Sequence, residues 1–68
     1  MEFGRRLRET RIQKKLTQQA LADKIKVELR TYQRYEQGSR EPSFATLLAL
    51  ADALDVSTDY LLGHIETN

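Results

Sequence analysis

Sixty-eight residues without a cysteine exclude a multidomain chain, a disulfide framework and a thiolate metal site. Hydrophobic residues make up 40% and charged residues 31%, a globular balance rather than the signature of disorder. The net charge of +1 conceals a division, since residues 1–40 hold all eleven basic residues and five acids (+6) while residues 41–68 hold five acids and no base (−5). Such a split suggests one half that faces nucleic acid and another that faces something else, but a chance segregation of solvated surface charge fits the composition equally well, and motifs must decide.

Phe3, Leu7, Arg11 and Ile12 recur at helical spacing, and Gly4 is the one breaker in a first helix expected over residues 2–14. Thr17 offers an N-cap to a short second helix, residues 18–25, with Leu21, Ala22 and Ile25 on its inward face. A third helix, residues 29–37, carries Tyr32, Tyr35 and Glu36 on one side and stops at Gly38. Ser43 caps a fourth, residues 44–54, whose Leu47, Leu50, Ala51 and Leu54 form the clearest apolar stripe. Ser57 starts a fifth, residues 58–62, closed by Gly63, and residues 64–68 read as a frayed tail. No stretch alternates apolar and polar residues as a strand would, so the expected fold is all-α with five helices in a single domain.

Only residues 26–28 separate the second and third helices, so the chain turns sharply between them, and Ala22 is the expected point of close approach. If the second helix is held by the core, the third is left with an outward face of Leu29, Arg30, Gln33 and Arg34. Those side chains suit a major groove: Arg bonds guanine O6 and N7, Gln pairs with adenine N6 and N7, and Leu packs on a thymine methyl. A merely solvated helix surface has the same composition. Arg30 and Arg34 are like charges at i,i+4, which disfavours the isolated helix by a few tenths of a kcal/mol unless a polyanion lies against them.

Leu7, Arg11, the run Leu16-Thr17-Gln18-Gln19-Ala20-Leu21-Ala22, Val27, Tyr35-Glu36-Gln37-Gly38, Glu41-Pro42-Ser43 and Leu47 through Val56 together resemble the lambda-repressor-like, Xre-type helix-turn-helix domain of phage repressors and bacterial regulators. The resemblance spans residues 3–62. It implies that Leu29, Arg30, Gln33 and Arg34 contact bases, that Thr17 and Gln18 hold the DNA backbone, and that Ser39 and Arg40 grip phosphates. Two positions depart from the family pattern. Lys26 stands where Gly is common, at a cost of about 1 kcal/mol if held at positive φ, and is expected to add a phosphate contact. Glu28 stands where Ser or Thr caps the third helix, and is read as a dipole-stabilising carboxylate in preference to a reader of cytosine N4.

An unpaired Glu36 carboxylate facing the core would be costly, and Arg11 lies on the inward side of the first helix. The residues leave open two separately solvated charges; the resemblance implies that the two pair, through the planar fork that lets Arg bond a carboxylate twice. In the acidic half, Tyr60, Leu61, Leu62 and Ile65 supply apolar surface that partly completes the core and is expected to form a two-fold contact.

Catalysis finds no support: the single His64 lies in the expected tail, and no nucleophile, base and carboxylate converge. No cofactor, metal or small-molecule site is expected. The longest apolar run, Leu47 to Ala51, is far short of a membrane span, and no secretory signal opens the chain, which suits the cytoplasm. The expected function is therefore sequence-specific binding of double-stranded DNA as a repressor, by a homodimer on a pseudopalindromic operator. The alternative is a protein-interaction module of the same fold, an antitoxin or anti-repressor acting through a partner chain.

Overall fold

The structure, a computed structural model, describes residues 2–64, and for Glu2 the backbone alone. Five helices follow one another, α1 (Glu2–Gln13), α2 (Gln18–Lys24), α3 (Leu29–Gln37), α4 (Phe44–Leu54) and α5 (Thr58–Leu61), with no strand among the described residues. The spans of α3 and α4 coincide with those expected, while α1, α2 and α5 each stop one residue early. Three helices start as the sequence predicts. The hydroxyls of Thr17, Ser43 and Ser57 accept from the backbone N–H three residues on, at 3.0, 3.2 and 3.0 Å, satisfying one orphan donor apiece.

The helix ends follow one physical rule that glycine content hides. After each helix a residue in the left-handed region turns the chain: Lys15 (φ 61°), Lys26 (61°), Gly38 (82°), Asp55 (57°) and Gly63 (79°). The next residue then donates its N–H to the carbonyl five residues back, Leu16 to Arg11 at 3.2 Å, Val27 to Ala22 at 3.1 Å, Ser39 to Arg34 at 3.1 Å, Val56 to Ala51 at 3.0 Å and His64 to Asp59 at 2.9 Å. This is the Schellman closure, in which an apolar residue after the turn folds back onto the helix. Leu16, Val27 and Val56 do so, packing against the core. His64 therefore belongs to the α5 cap, not to a tail as expected; residues 65–68 lie outside the described residues.

At Lys26 the strain expected of a non-glycine residue is present. Lys26→Gly should raise stability by about 0.5–1 kcal/mol, the relief of the left-handed conformation less the flexibility that glycine adds to the unfolded chain. Urea denaturation reads this, and an unchanged or lower midpoint would contradict it.

The core gathers Phe3, Leu7, Leu21, Ala22, Tyr32, Tyr35, Leu50, Ala51, Leu54 and Leu61 from all five helices. Tyr32 and Tyr35 meet edge to face, 6.4 Å between centroids at 81°, an arrangement favoured by the ring quadrupole. Two expectations for α1 are corrected. Ile12 points outward, 48% exposed, because the buried stripe runs through Phe3, Leu7 and Thr10. Gly4 is no incidental breaker: a Cβ there would lie 2.5 Å from the Glu36 carbonyl oxygen and 2.9 Å from that of Tyr35, so α1 crosses the end of α3 at backbone contact. Among the described residues no helix is long and apolar enough to cross a membrane.

Candidate nucleic-acid interface

Leu21 and Ala22, both fully buried, anchor α2, while Tyr32 and Tyr35 anchor α3 from its inward side. That leaves the outer side of α3 to solvent. Arg30 and Arg34 are exposed, one helical turn apart, and carry no ion pair among the described residues. Leu29 and Gln33 are half-buried, and Gln37, which the sequence reading passed over, extends the exposed row by a further turn. Thr17 and Lys26 are exposed and Gln18 is half-buried, while Ser39 and Arg40 are exposed in the chain that follows α3. The Thr17 hydroxyl is engaged as the α2 cap. Glu28 occupies the N-cap position of α3 without a capping side-chain hydrogen bond, so what it offers α3 is charge at the positive end of the helix dipole.

Beneath the face lies a polar cluster centred on Glu36. Arg11 Nε donates to Glu36 Oε2 at 2.6 Å and Arg11 Nη1 to the Leu16 carbonyl at 2.9 Å. Gln18 Nε2 donates to Glu36 Oε1 at 3.0 Å, and the Tyr32 hydroxyl donates to Glu36 Oε2. Gln33 Nε2 in turn donates to Gln18 Oε1 at 3.3 Å. The Arg11 and Glu36 side chains are 11% and 4% exposed, so this is a buried ion pair joining α1 to α3. Burial pushes the Glu36 carboxyl up, but the hydrogen bonds from Arg11, Tyr32 and Gln18 outweigh it and hold the group below the usual carboxylate range. The hydrogen bond to Glu36 raises Arg11 despite burial, and burial with the Glu36 bond raises Tyr32 far above an ordinary phenol. The carboxylate is therefore an anion at neutral pH, and each of its neighbours must act as donor. Sequence reasoning anticipated Arg11 and missed the rest, although Tyr32 lies one turn before Glu36 on the same helix.

The proposed two-fold contact needs one correction. Leu61 is fully buried and closes the core beneath α5, so it is not available to another molecule. Tyr60 is half-buried, with the Arg6 guanidinium 5.4 Å from its ring centroid, and Ile65 lies outside the described residues. Leu62, 46% exposed, instead joins Phe44 (87%) on the surface, where Phe3, Glu41, Pro42, Phe44, Leu47 and Leu62 line a hollow of about 180 Å³. Phe44 and Leu48 lie off the stripe of Leu47, Leu50, Ala51 and Leu54, and both are exposed.

Residues 7–61 match the helix-turn-helix family model. The chain is 52% identical over 60 residues to the uncharacterized HTH-type transcriptional regulator YqaE of Bacillus subtilis, covering 88% of this chain and 52% of that protein. It spans about half the length of the first curated relatives it matches. Its fold is similar to that of the restriction-modification controller protein C.AhdI from Aeromonas hydrophila, with TM-score 0.84 and 38% identity over 88% of this chain and 91% of the other. It is also similar to the P22 c2 repressor in complex with a synthetic operator, with TM-score 0.85 and 36% identity over 90% and 92% of the two chains. With most of its length inside the family match and its backbone shared with solved proteins at more than a third identity, the chain belongs to the helix-turn-helix family, in its lambda-repressor-like, Xre-type branch.

Proposed function

We propose that this domain binds double-stranded DNA sequence-specifically and regulates transcription from inside the cell, as a repressor. The observation that carries the reading is the outward side of α3, where Arg30 and Arg34 stand exposed and without an ion pair among the described residues, beside Gln33, while the inward side is locked by two buried tyrosines. A likeness to a repressor solved on its operator, at 36% identity, supports it. Leu29, Arg30, Gln33 and Arg34 face base edges in the major groove. Thr17, Gln18, Lys26, Ser39 and Arg40 lie along the phosphates.

Two copies read a pseudopalindrome. One domain extends 28 Å in its longest dimension, and half-sites one helical turn apart are separated by about 34 Å, so neighbouring copies fit on one face of the duplex. Phe44 and Leu62 are the surface apolar groups offered for that contact, in place of Leu61.

Selection from random duplexes tests both levels. Wild type should enrich two inverted half-sites. Arg30→Ala or Arg34→Ala should each relax preference at a single base by about 1–3 kcal/mol, whereas Arg40→Ala should weaken all sequences alike. The logarithm of affinity should fall with that of salt by about 0.9 per phosphate neutralised. Lys26→Gly, more stable, should bind less tightly and with a shallower slope. A single enriched half-site would overturn the dimer, and no enriched motif the DNA reading.

A further inference from the structure

We propose that the hydrogen-bonded series Glu36, Gln18, Gln33 fixes the amide orientation of Gln33 and so makes that position select adenine over guanine. The inference rests on the reading of α3 as a major-groove helix and adds to it a positioning role for Gln18, whose side chain faces Gln33 and Glu36.

A glutamine amide has a donor end and an acceptor end, and an isolated one turns either toward a base. Here the choice is made two residues away. The ionised Glu36 carboxylate is an acceptor only, buried to 4% exposure, with Arg11 and Tyr32 also donating to it. Gln18 must therefore turn its NH2 toward Glu36, which it does at 3.0 Å. Its carbonyl oxygen then faces Gln33, and Gln33 must answer with its own NH2, at 3.3 Å. One N–H and the carbonyl oxygen of Gln33 remain for a ligand. Adenine presents an acceptor at N7 and a donor at N6, the complement of that pair; guanine presents acceptors at both N7 and O6, and the second would meet the carbonyl oxygen. Reversing the Gln33 amide to suit guanine would set two carbonyl oxygens against each other, unless Gln18 reversed as well and turned its oxygen on the Glu36 carboxylate.

Selection from random duplexes with Gln33→Ala first identifies the base pair that Gln33 reads. Gln18→Met, of similar length and without donor or acceptor, should weaken all duplexes alike through its phosphate contact and, over and above that uniform loss, lower the adenine-to-guanine ratio at that pair about tenfold; Gln18→Ala repeats the test with a smaller side chain. An unchanged ratio overturns the relay. Side-chain amide NMR supplies a reading without DNA: the Gln33 NH2 resonances should move in either Gln18 variant, and unmoved resonances overturn the relay as well. If wild type enriches no motif while the resonances move, it is the groove reading that falls, and the selectivity with it. If a motif with Gln33-dependent adenine survives in both Gln18 variants, the relay alone falls.

Discussion

Glu36→Ala should leave much of the protein unfolded at 25 °C, and the double variant Arg11→Met/Glu36→Ala should regain part of the loss. Removing the carboxylate strands three donors at once: the Arg11 guanidinium, 11% exposed and left with the Leu16 carbonyl, the Tyr32 hydroxyl, and the Gln18 amide. Breaking a buried ion pair from one side costs about 3–5 kcal/mol, comparable with the whole margin of a domain this small. Removing both charges removes the stranded guanidinium, the costliest of the three, but leaves the Tyr32 hydroxyl and the Gln18 amide without their acceptor, so the recovery is partial. Urea denaturation of the two single and one double variants forms the cycle; additive losses would show that the pair contributes no coupling.

The same cluster sets the pH limits. The folded Glu36 carboxyl titrates below its ordinary value of 4.5, so its contribution is complete above that pH and fades as pH falls through the folded value. Tyr32 titrates above its unfolded value of about 10, so its contribution is complete below that pH and is lost as pH rises beyond it. The unfolding midpoint in urea should be flat between these limits as far as this cluster is concerned, and drop on either side.

Gly4→Ala should destabilise the fold by about 3 kcal/mol, the upper part of the range for overpacking, because the atom that must yield is backbone. A methyl group at residue 4 would sit 2.5 Å from the Glu36 carbonyl oxygen, and neither helix has a flexible side chain to move out of the way. The helices must separate, and Arg11 and Glu36 separate with them. The variant should therefore lose DNA affinity along with stability, although no residue of the proposed interface has changed. Ordinary helix propensity predicts the opposite sign, since alanine in a helix interior is favoured over glycine by about 1 kcal/mol. A Gly4→Ala protein that melts at or above wild type would show that the α1–α3 crossing relaxes freely.

Much of the architecture was legible beforehand, for local reasons. Thr17, Ser43 and Ser57 mark helix starts because a capping hydroxyl acts within three residues, and the stripe in α4 needs only its own periodicity. Of the left-handed turns that close the helices, residue type alone declared those at Gly38 and Gly63, and the family resemblance pointed to the one at Lys26. At Lys15, Lys26 and Asp55 the turn is imposed by burial of Leu16, Val27 and Val56, a tertiary cause that overrides the preference of the residue itself. The error at Leu61 had the same origin: an apolar residue near a chain end reads alike whether it closes the core or faces a partner.

By itself, the sequence determined the helices, their order, the segregation of charge and the outward row of Arg30, Gln33 and Arg34, because capping, periodicity and one short turn act within a few residues. Only the tertiary structure decided what lies underneath. Gly4 against the end of α3, the donors gathered on Glu36, and the exposure of Phe44 and Leu62 depend on groups brought together from distant parts of the chain, where close packing and the cost of an unpaired buried charge select a single arrangement.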